Sequence, residues 1–357
     1  MRPPLRALWE ITWRCDLRCD HCLVSGGSSA SAPVPELDTG EALDLVDQLA
    51  DLGVSVVSLT GGEPLVRRDW HDIAARVRAR GLVLRLSTNG HLLNDGTVAE
   101  LVSLGTEAVA VSVDGVEATH DRVRHGAAAT GGGGTSFARV MEAIDRLRPT
   151  PIRGLVITTV TSANIGELPA IHELLASRGV DGWVVQLGHR TGRLAEAREG
   201  AVAPIRPDQV RAVADFIVSR AGDARLRPSA HNSLGYLSRD EPVLRASGRR
   251  ARHSIWRGCR CGIATVGIEP DGGIKGCASQ VGPPFVVGTV RRERLREIWE
   301  DRARWHWLSP RPEQFGGRCA RCALAAVCQA GCTALAYGAT GSLFDNPYCL
   351  RALDDAT

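Results

Sequence analysis

Three cysteines stand close to the start of the chain. In "WRCDLRCDHC", residues 13–22, Cys15, Cys19 and Cys22 form a C-x3-C-x2-C run. Eight more lie within residues 259–349, and residues 23–258 contain none. In a small secreted chain this would read as a disulfide framework. This chain has 357 residues, and its first stretch, "MRPPLRALWEITW", lacks the apolar core of a signal peptide. In a reducing compartment the same thiols read as metal ligands. A cubane [4Fe–4S] cluster has four irons held by cysteine thiolates. Three closely spaced cysteines ligate three irons and leave the fourth open to a small molecule. Zinc normally takes four ligands from paired motifs, and no second pair is near in sequence. The N-terminal run is therefore expected to hold a catalytic cluster rather than an electron wire.

The bulk properties exclude little else. The net charge of +3 is close to neutral, and Lys275 is the single lysine among 43 basic residues. The arginines are scattered, so no nucleic-acid surface is expected. No apolar run approaches ~18 residues, so no membrane span is expected. A cytoplasmic protein is the resulting expectation.

Positioning the cysteines requires a scaffold, and the first half alternates as one. Strands are predicted at 5–13, 54–62, 82–90, 108–115, 152–160 and 181–188. Helices are predicted at 37–53, 68–80, 94–104, 135–148 and 166–178. Six βα-type units imply a parallel sheet with right-handed crossovers. Each strand ends in a polar or glycine-rich turn, and in a parallel barrel the active site lies on that rim. An open doubly wound sheet would alternate in the same way, so the pattern alone does not decide. "GAAATGGGGTS" (126–136) lacks G-x-x-x-x-G-K-[ST] and reads as a mobile loop. The expected division is a barrel over 1–200, a helical bridging region over 201–254 with a helix at 206–220, and a metal-stapled module with little core of its own over 255–357.

The motifs at the strand ends resemble those of the radical S-adenosylmethionine (SAM) enzymes. The C-x3-C-x2-C run follows the first strand. "TGGEP" (60–64) is similar to the family's GGEP motif, "STNG" (87–90) and "SVDG" (112–115) to its third- and fourth-strand motifs, and "HDRVR" (120–124) to the segment that follows them. The resemblance implies a partial (β/α)6 barrel, with a [4Fe–4S] cluster on Cys15, Cys19 and Cys22. It implies SAM contacts from Gly61, Gly62, Glu63, Pro64, Ser87, Asn89, Ser112 and Asp114. Glycines at 61 and 62 would let the backbone approach a ligand. Glu63 would accept from the SAM ammonium, and Asn89 and Ser112 would bond carboxylate or sugar oxygens. The family chemistry is one-electron cleavage of SAM to a 5′-deoxyadenosyl radical, which abstracts hydrogen from a substrate carbon.

The C-terminal cysteines resemble the SPASM extension of the same enzymes, which carries two auxiliary [4Fe–4S] clusters. The resemblance assigns Cys259, Cys261, Cys277 and Cys332 to one and Cys319, Cys322, Cys328 and Cys349 to the other. The one-residue gap of Cys259-Arg-Cys261 departs from the family's wider spacing, so whether both bind is left open. Auxiliary clusters suit a reaction that must dispose of an electron, such as cross-linking or dehydrogenation. Cys277 is followed by Ala278, whereas sulfatase-maturing members place an aspartate base there, so sulfatase maturation is not expected. "LWEITWRCDLRCDHC" and "CQAGCTALAYGATGSLFDNPYC" are most similar to maturases of ribosomally made peptides, of the mycofactocin and pyrroloquinoline quinone types. The expected substrate is a precursor peptide. Few residues precede the first strand, so a separate leader-binding protein is expected, with flavodoxin or ferredoxin as electron donor. The alternative is a dehydrogenase or epimerase of an aminoglycoside or aminocyclitol. Gln186, His189 and Arg190 are candidate substrate contacts at the sixth strand end. Trp13 and Trp183 are expected chiefly to pack the barrel.

Overall fold

The computed structural model describes residues 4–23, 34–126, 134–196, 202–246 and 255–355. The central part of the glycine-rich 126–136 stretch lies outside them. Six parallel strands form in the predicted places: β1 (Arg6–Glu10), β2 (Val56–Thr60), β3 (Val83–Thr88), β4 (Ala108–Ser112), β5 (Arg153–Val160) and β6 (Gly182–Leu187). They lie side by side in chain order, each parallel to the next. This is the α/β sheet of a partial barrel.

Helices α1 (Thr39–Leu52), α2 (Trp70–Ala79), α3 (Asp95–Ser103), α4 (Glu117–Val123), α5 (Ser136–Leu147) and α6 (Leu168–Arg178) fill the crossovers. Local chemistry fixes α1. Asp38 accepts from the Glu41 amide while Glu41 accepts from the Asp38 amide, a reciprocal cap. Gly53 ends the helix in the left-handed region at φ 93°. Between them Ala42, Leu45, Val46, Leu49 and Leu52 are buried along one stripe.

Strand alternation does the rest of the positioning. Ala7, Trp9, Val57, Leu59, Leu84 and Leu86 are buried in the core. Their alternates Leu8, Glu10, Ser58, Thr60 and Ser87 line a cavity on the other face. The inner wall of the barrel is thus largely small and polar.

The sheet runs further than six strands. The 201–254 stretch carries α7 (Val210–Ser219), as expected, and also β7 (Pro228–Ala230), parallel to β6, followed by α8 (Glu241–Arg245). Three residues with a leading proline give no alternation to read. At the opposite edge β8 (Thr265–Ile268) pairs parallel with β1, and β9 (Gly273–Lys275) and β10 (Gly288–Thr289) follow antiparallel. One sheet of ten strands therefore spans the barrel and the start of the cysteine-rich segment.

That segment has more core than its sequence suggests. Helix α9 (Leu295–Glu300) is followed by three short helices, α10 (Ala325–Cys328), α11 (Thr333–Thr340) and α12 (Leu350–Asp354). Trp299, Trp305, Trp307 and Phe285 are fully buried and stack edge to face, with ring centroids 5.1, 5.6 and 5.8 Å apart along the series. Tryptophans spaced by loops rather than by a helical or strand period leave no periodic signature. No helix among the described residues is long and apolar enough to cross a membrane.

Candidate active site

The cysteine loop leaves β1 and runs over the C-terminal rim of the sheet. Backbone bonds hold it on two sides. Gly62 N–H donates to Thr12 O at 2.7 Å and Glu63 N–H to Arg14 O at 2.8 Å. Across the loop, Arg18 N–H donates to His125 O and Asp20 N–H to Val123 O. Gly61 and Gly62 have a backbone role in addition to the expected ligand approach. A Cβ on Gly61 would lie 2.5 Å from Thr12 O, and one on Gly62 would meet the carbonyl oxygens of Arg14 and Trp13. The glycines are needed first so that two backbones can touch. Both also line the cavity.

Cys15, Cys19 and Cys22 all face that cavity, which holds about 330 Å³. Burial pushes the Cys15 thiol up to about 12 and the Cys19 thiol up to about 11. A metal would have to displace those protons, and donors are in place for the resulting thiolates. Leu17 N–H lies 3.4 Å from Cys15 Sγ, and Arg124 Nη1 lies 3.8 Å from Cys19 Sγ.

Of the expected SAM contacts, Gly61, Gly62, Ser87, Asn89 and Ser112 line the cavity with the cysteines. Glu63, Pro64 and Asp114 stand behind its wall. Glu63 was expected to meet an ammonium. Its buried carboxylate instead accepts from Thr88 Oγ1 at 2.8 Å, from Asn89 N–H at 2.7 Å and from Leu65 N–H at 3.1 Å. Burial, together with the nearby Asp16, pushes it up to about 7 against those bonds. Glu63 therefore shapes the Thr88–Asn89 turn, and Asn89 Nδ2 in turn holds Asp16 at 2.7 Å.

Asp114 is likewise internal. It pairs with His21 Nε2 at 3.0 Å and Arg124 Nε at 2.5 Å, and accepts from Thr159 N–H at 2.6 Å. Burial opposes its charge, but Arg124 and His21 outweigh burial and hold the carboxyl well below the usual range. Arg124 thus links Asp114 to Cys19. "HDRVR" contained this residue, but its spacing gave no partner, because the contact crosses 105 positions.

Gln186 and His189 line the far wall; Arg190 is exposed and away from it. His231, just past β7, joins them. Burial pushes His189 down to about 3, with His231 adding to it, and His231 down to about 4. Trp13 is half-buried and off the cavity wall. Trp183 is core, donating to Thr158 Oγ1 at 2.8 Å and packing on Phe216.

The eight C-terminal cysteines gather as two interleaved sets. Cys261 hydrogen-bonds both Cys259 and Cys277 and thereby lowers both thiols, Cys259 to about 6. Cys332 stands in the same electrostatic group, its thiol pushed up by burial and by Cys259 and Cys277. Both members of the Cys259–Cys261 pair thus face one set. Cys319, Cys322, Cys328 and Cys349 line a second cavity of about 380 Å³. Ala278 and Ser279, directly after Cys277, line the barrel cavity that holds the N-terminal trio.

The donor chemistry fits iron–sulfur clusters. Among the described residues only His172, Glu173 and Asp223 bring three candidate ligand atoms within 4.8 Å of one another; no three cysteine sulfurs do. A single tetrahedral zinc on thiolates would draw sulfurs to about 3.8 Å. The trio and the Cys319 set line cavities, and sets of three, four and four thiolates match the ligand counts of multi-iron clusters. The cysteine trio and the cavity beside it fit SAM bound at an open iron.

Comparison with known proteins agrees with this geometry. The family model described as Radical SAM superfamily matches residues 9–175, and the SPASM iron–sulfur cluster-binding domain matches residues 259–323. AdoMet-dependent heme synthase of Methanosarcina barkeri is 31% identical over 355 residues, covering 97% of this chain and 96% of that protein. Mycofactocin maturase MftC of Mycobacterium ulcerans is 28% identical over 347 residues, covering 96% and 86%. The solved structure of anSMEcpe with bound AdoMet superposes with a TM-score of 0.73 at 16% identity, covering 98% and 95%.

Proposed function

The chain belongs to the radical SAM superfamily and carries a SPASM domain, and from that premise we propose that it oxidises an unactivated carbon of a ribosomally made precursor peptide. When bound, the cluster on Cys15, Cys19 and Cys22 and its SAM supply the 5′-deoxyadenosyl radical. Cys259, Cys261, Cys277 and Cys332 hold the first auxiliary cluster in this reading; Cys319, Cys322, Cys328 and Cys349 hold the second. The observation that carries the reading is the placement of Ala278 and Ser279. The residues following Cys277 form part of the wall of the very cavity the N-terminal trio opens onto. A carbon radical made in that cavity would lie beside an electron acceptor, which favours a net two-electron oxidation. Gln186 and His189, on the wall of that cavity, orient the substrate. The full-length likeness to mycofactocin maturase supports a peptide. A separate leader-binding protein and a flavodoxin or ferredoxin complete the system.

A second reading has its own support. The relative at 31% identity is named a heme synthase, which favours a tetrapyrrole substrate. An anaerobic assay of the cluster-loaded protein with SAM and a strong reductant tests both. Precursor peptides, iron coproporphyrin and aminocyclitols are offered separately, and products are weighed against 5′-deoxyadenosine. A two-dalton loss on a peptide, matched by 5′-deoxyadenosine, supports the first reading. Turnover of the porphyrin alone replaces it with the second; turnover of an aminocyclitol alone overturns both.

A further inference from the structure

The chain uses arginine almost everywhere, yet its single lysine, Lys275 on β9, is only 1% exposed. Its Nζ lies 2.7 Å from Glu10 Oε2 and 3.0 Å from Glu269 Oε1. Glu10 ends β1 and is 4% exposed. Strand alternation turns it to the inner face, where it lines the cavity shared with the cysteine trio. Its Oε2, the oxygen paired with Lys275, is buried and has no other hydrogen-bond partner among the described residues. The five residues from Lys275 to Ser279 join this ion pair to Cys277 and to the cavity wall.

Two carboxylates share one ammonium, so the cluster of side chains carries an excess negative charge. Glu269 is 23% exposed and keeps some water; Glu10 does not. Burial raises the Glu10 carboxyl; Lys275 opposes the rise, while Glu269 and Asp271 add to it. Glu10 is the place where a proton would settle.

We propose that Glu10 is a catalytic residue, the base that takes the proton lost by the substrate during oxidation, with Lys275 as its positioning residue. The proposal rests on the net two-electron reading above. The step balances as follows. SAM bound at the cluster that Cys15, Cys19 and Cys22 would hold would supply a radical that removes one hydrogen atom from the substrate carbon, giving 5′-deoxyadenosine. Glu10 would take the proton lost from the substrate carbon, and the iron–sulfur cluster that Cys259, Cys261, Cys277 and Cys332 would hold would accept the one electron lost with it. A new bond or double bond forms at the carbon. Lys275 keeps the carboxylate aimed inward from β9 and remains charged throughout.

The test compares wild type, Glu10→Gln and Glu10→Asp as cluster-loaded proteins. In E10Q, 5′-deoxyadenosine still forms, but oxidised product per 5′-deoxyadenosine falls about 10²-fold or more. E10D, which keeps a carboxylate, recovers much of that ratio. In wild type the ratio falls as pH drops and Glu10 becomes protonated; in E10Q it is independent of pH. Cluster EPR spectra and midpoint potentials are the same in all three proteins. A readout free of turnover is pH-difference infrared spectroscopy without substrate. It should show a carboxyl titrating above the ordinary glutamate range of about 4.3, missing in E10Q. Equal product ratios in E10Q and wild type, or no infrared difference between them, would overturn the assignment. So would altered cluster spectra in E10Q, which would make the residue structural. If wild type leaves peptides untouched, the peptide reading fails alone, because the infrared measurement and the same ratio on the substrate that does react still judge Glu10.

Discussion

The two ends of the chain solve the problem of holding cysteines in opposite ways. The N-terminal trio sits on a loop over the barrel rim, fixed by buried ions and amides: Arg124, Asp114, His21, Asn89 and Asp16. The C-terminal eight sit among short helices and turns fixed by stacked rings and indole N–H groups. Trp307 donates to Cys261 O at 2.9 Å and Trp256 to Cys328 O at 2.8 Å. The trio opens onto a polar cavity, whereas the two sets of four each have the number of sulfurs that closes a cubane. The difference teaches that ligand count and supporting shell go together. An open site is surrounded by groups that can orient a polar guest; a closed one needs only packing.

Removing ligands from either end gives the largest expected effect. Replacing Cys15, Cys19 and Cys22 by alanine abolishes 5′-deoxyadenosine formation, and iron analysis shows one cluster lost. Cys319→Ala keeps 5′-deoxyadenosine formation without substrate and loses product. Equal behaviour of the two variants would erase the distinction.

Much of this contrast was legible in the sequence. The trio, the three other strand-end motifs and the six βα units needed only local spacing, and the two interleaved cysteine sets followed from a family resemblance. What could not be read depends on contacts between distant positions. Arg124 meets Cys19 across 105 residues, and Lys275 meets Glu10 across the β1–β8–β9 edge. Glu63 looked like a ligand because its motif sits at a strand end; only the fold shows its oxygens turned into the 88–89 turn. The short strand β7 and the aromatic core carried no periodic signal.

The two shells should also fail differently. Asp114→Asn leaves Arg124 buried without its charge partner and is expected to cost about 3–5 kcal/mol, read by urea denaturation. Trp305→Ala opens a cavity beside Gly262 and is expected to cost about 3–5 kcal/mol. The D114N cost shrinks as Asp114 is protonated at low pH, while the W305A cost does not.

A smaller effect concerns pH at the rim. The Glu63 carboxyl is raised in the fold to about 7 from 4.5. Its contribution to stability is therefore present below about 4.5 and lost as pH rises through about 7, a change of about 3 kcal/mol. Glu63→Gln should flatten that part of the stability profile; an unchanged profile would contradict the burial argument. The smallest effect is one of order. Cys322 is exposed and Cys259 is buried. Anaerobic chelation should strip iron first from the Cys319, Cys322, Cys328 and Cys349 set and last from the Cys259 set, followed by EPR.

The most direct test of the comparison is electron–nuclear double resonance on the reduced, loaded protein with SAM labelled at its amino nitrogen and carboxylate. The account predicts hyperfine coupling to one cluster, the one lost when Cys15, Cys19 and Cys22 are replaced, and none to either auxiliary cluster. Coupling that survives loss of the trio, or coupling to an auxiliary cluster, would contradict it.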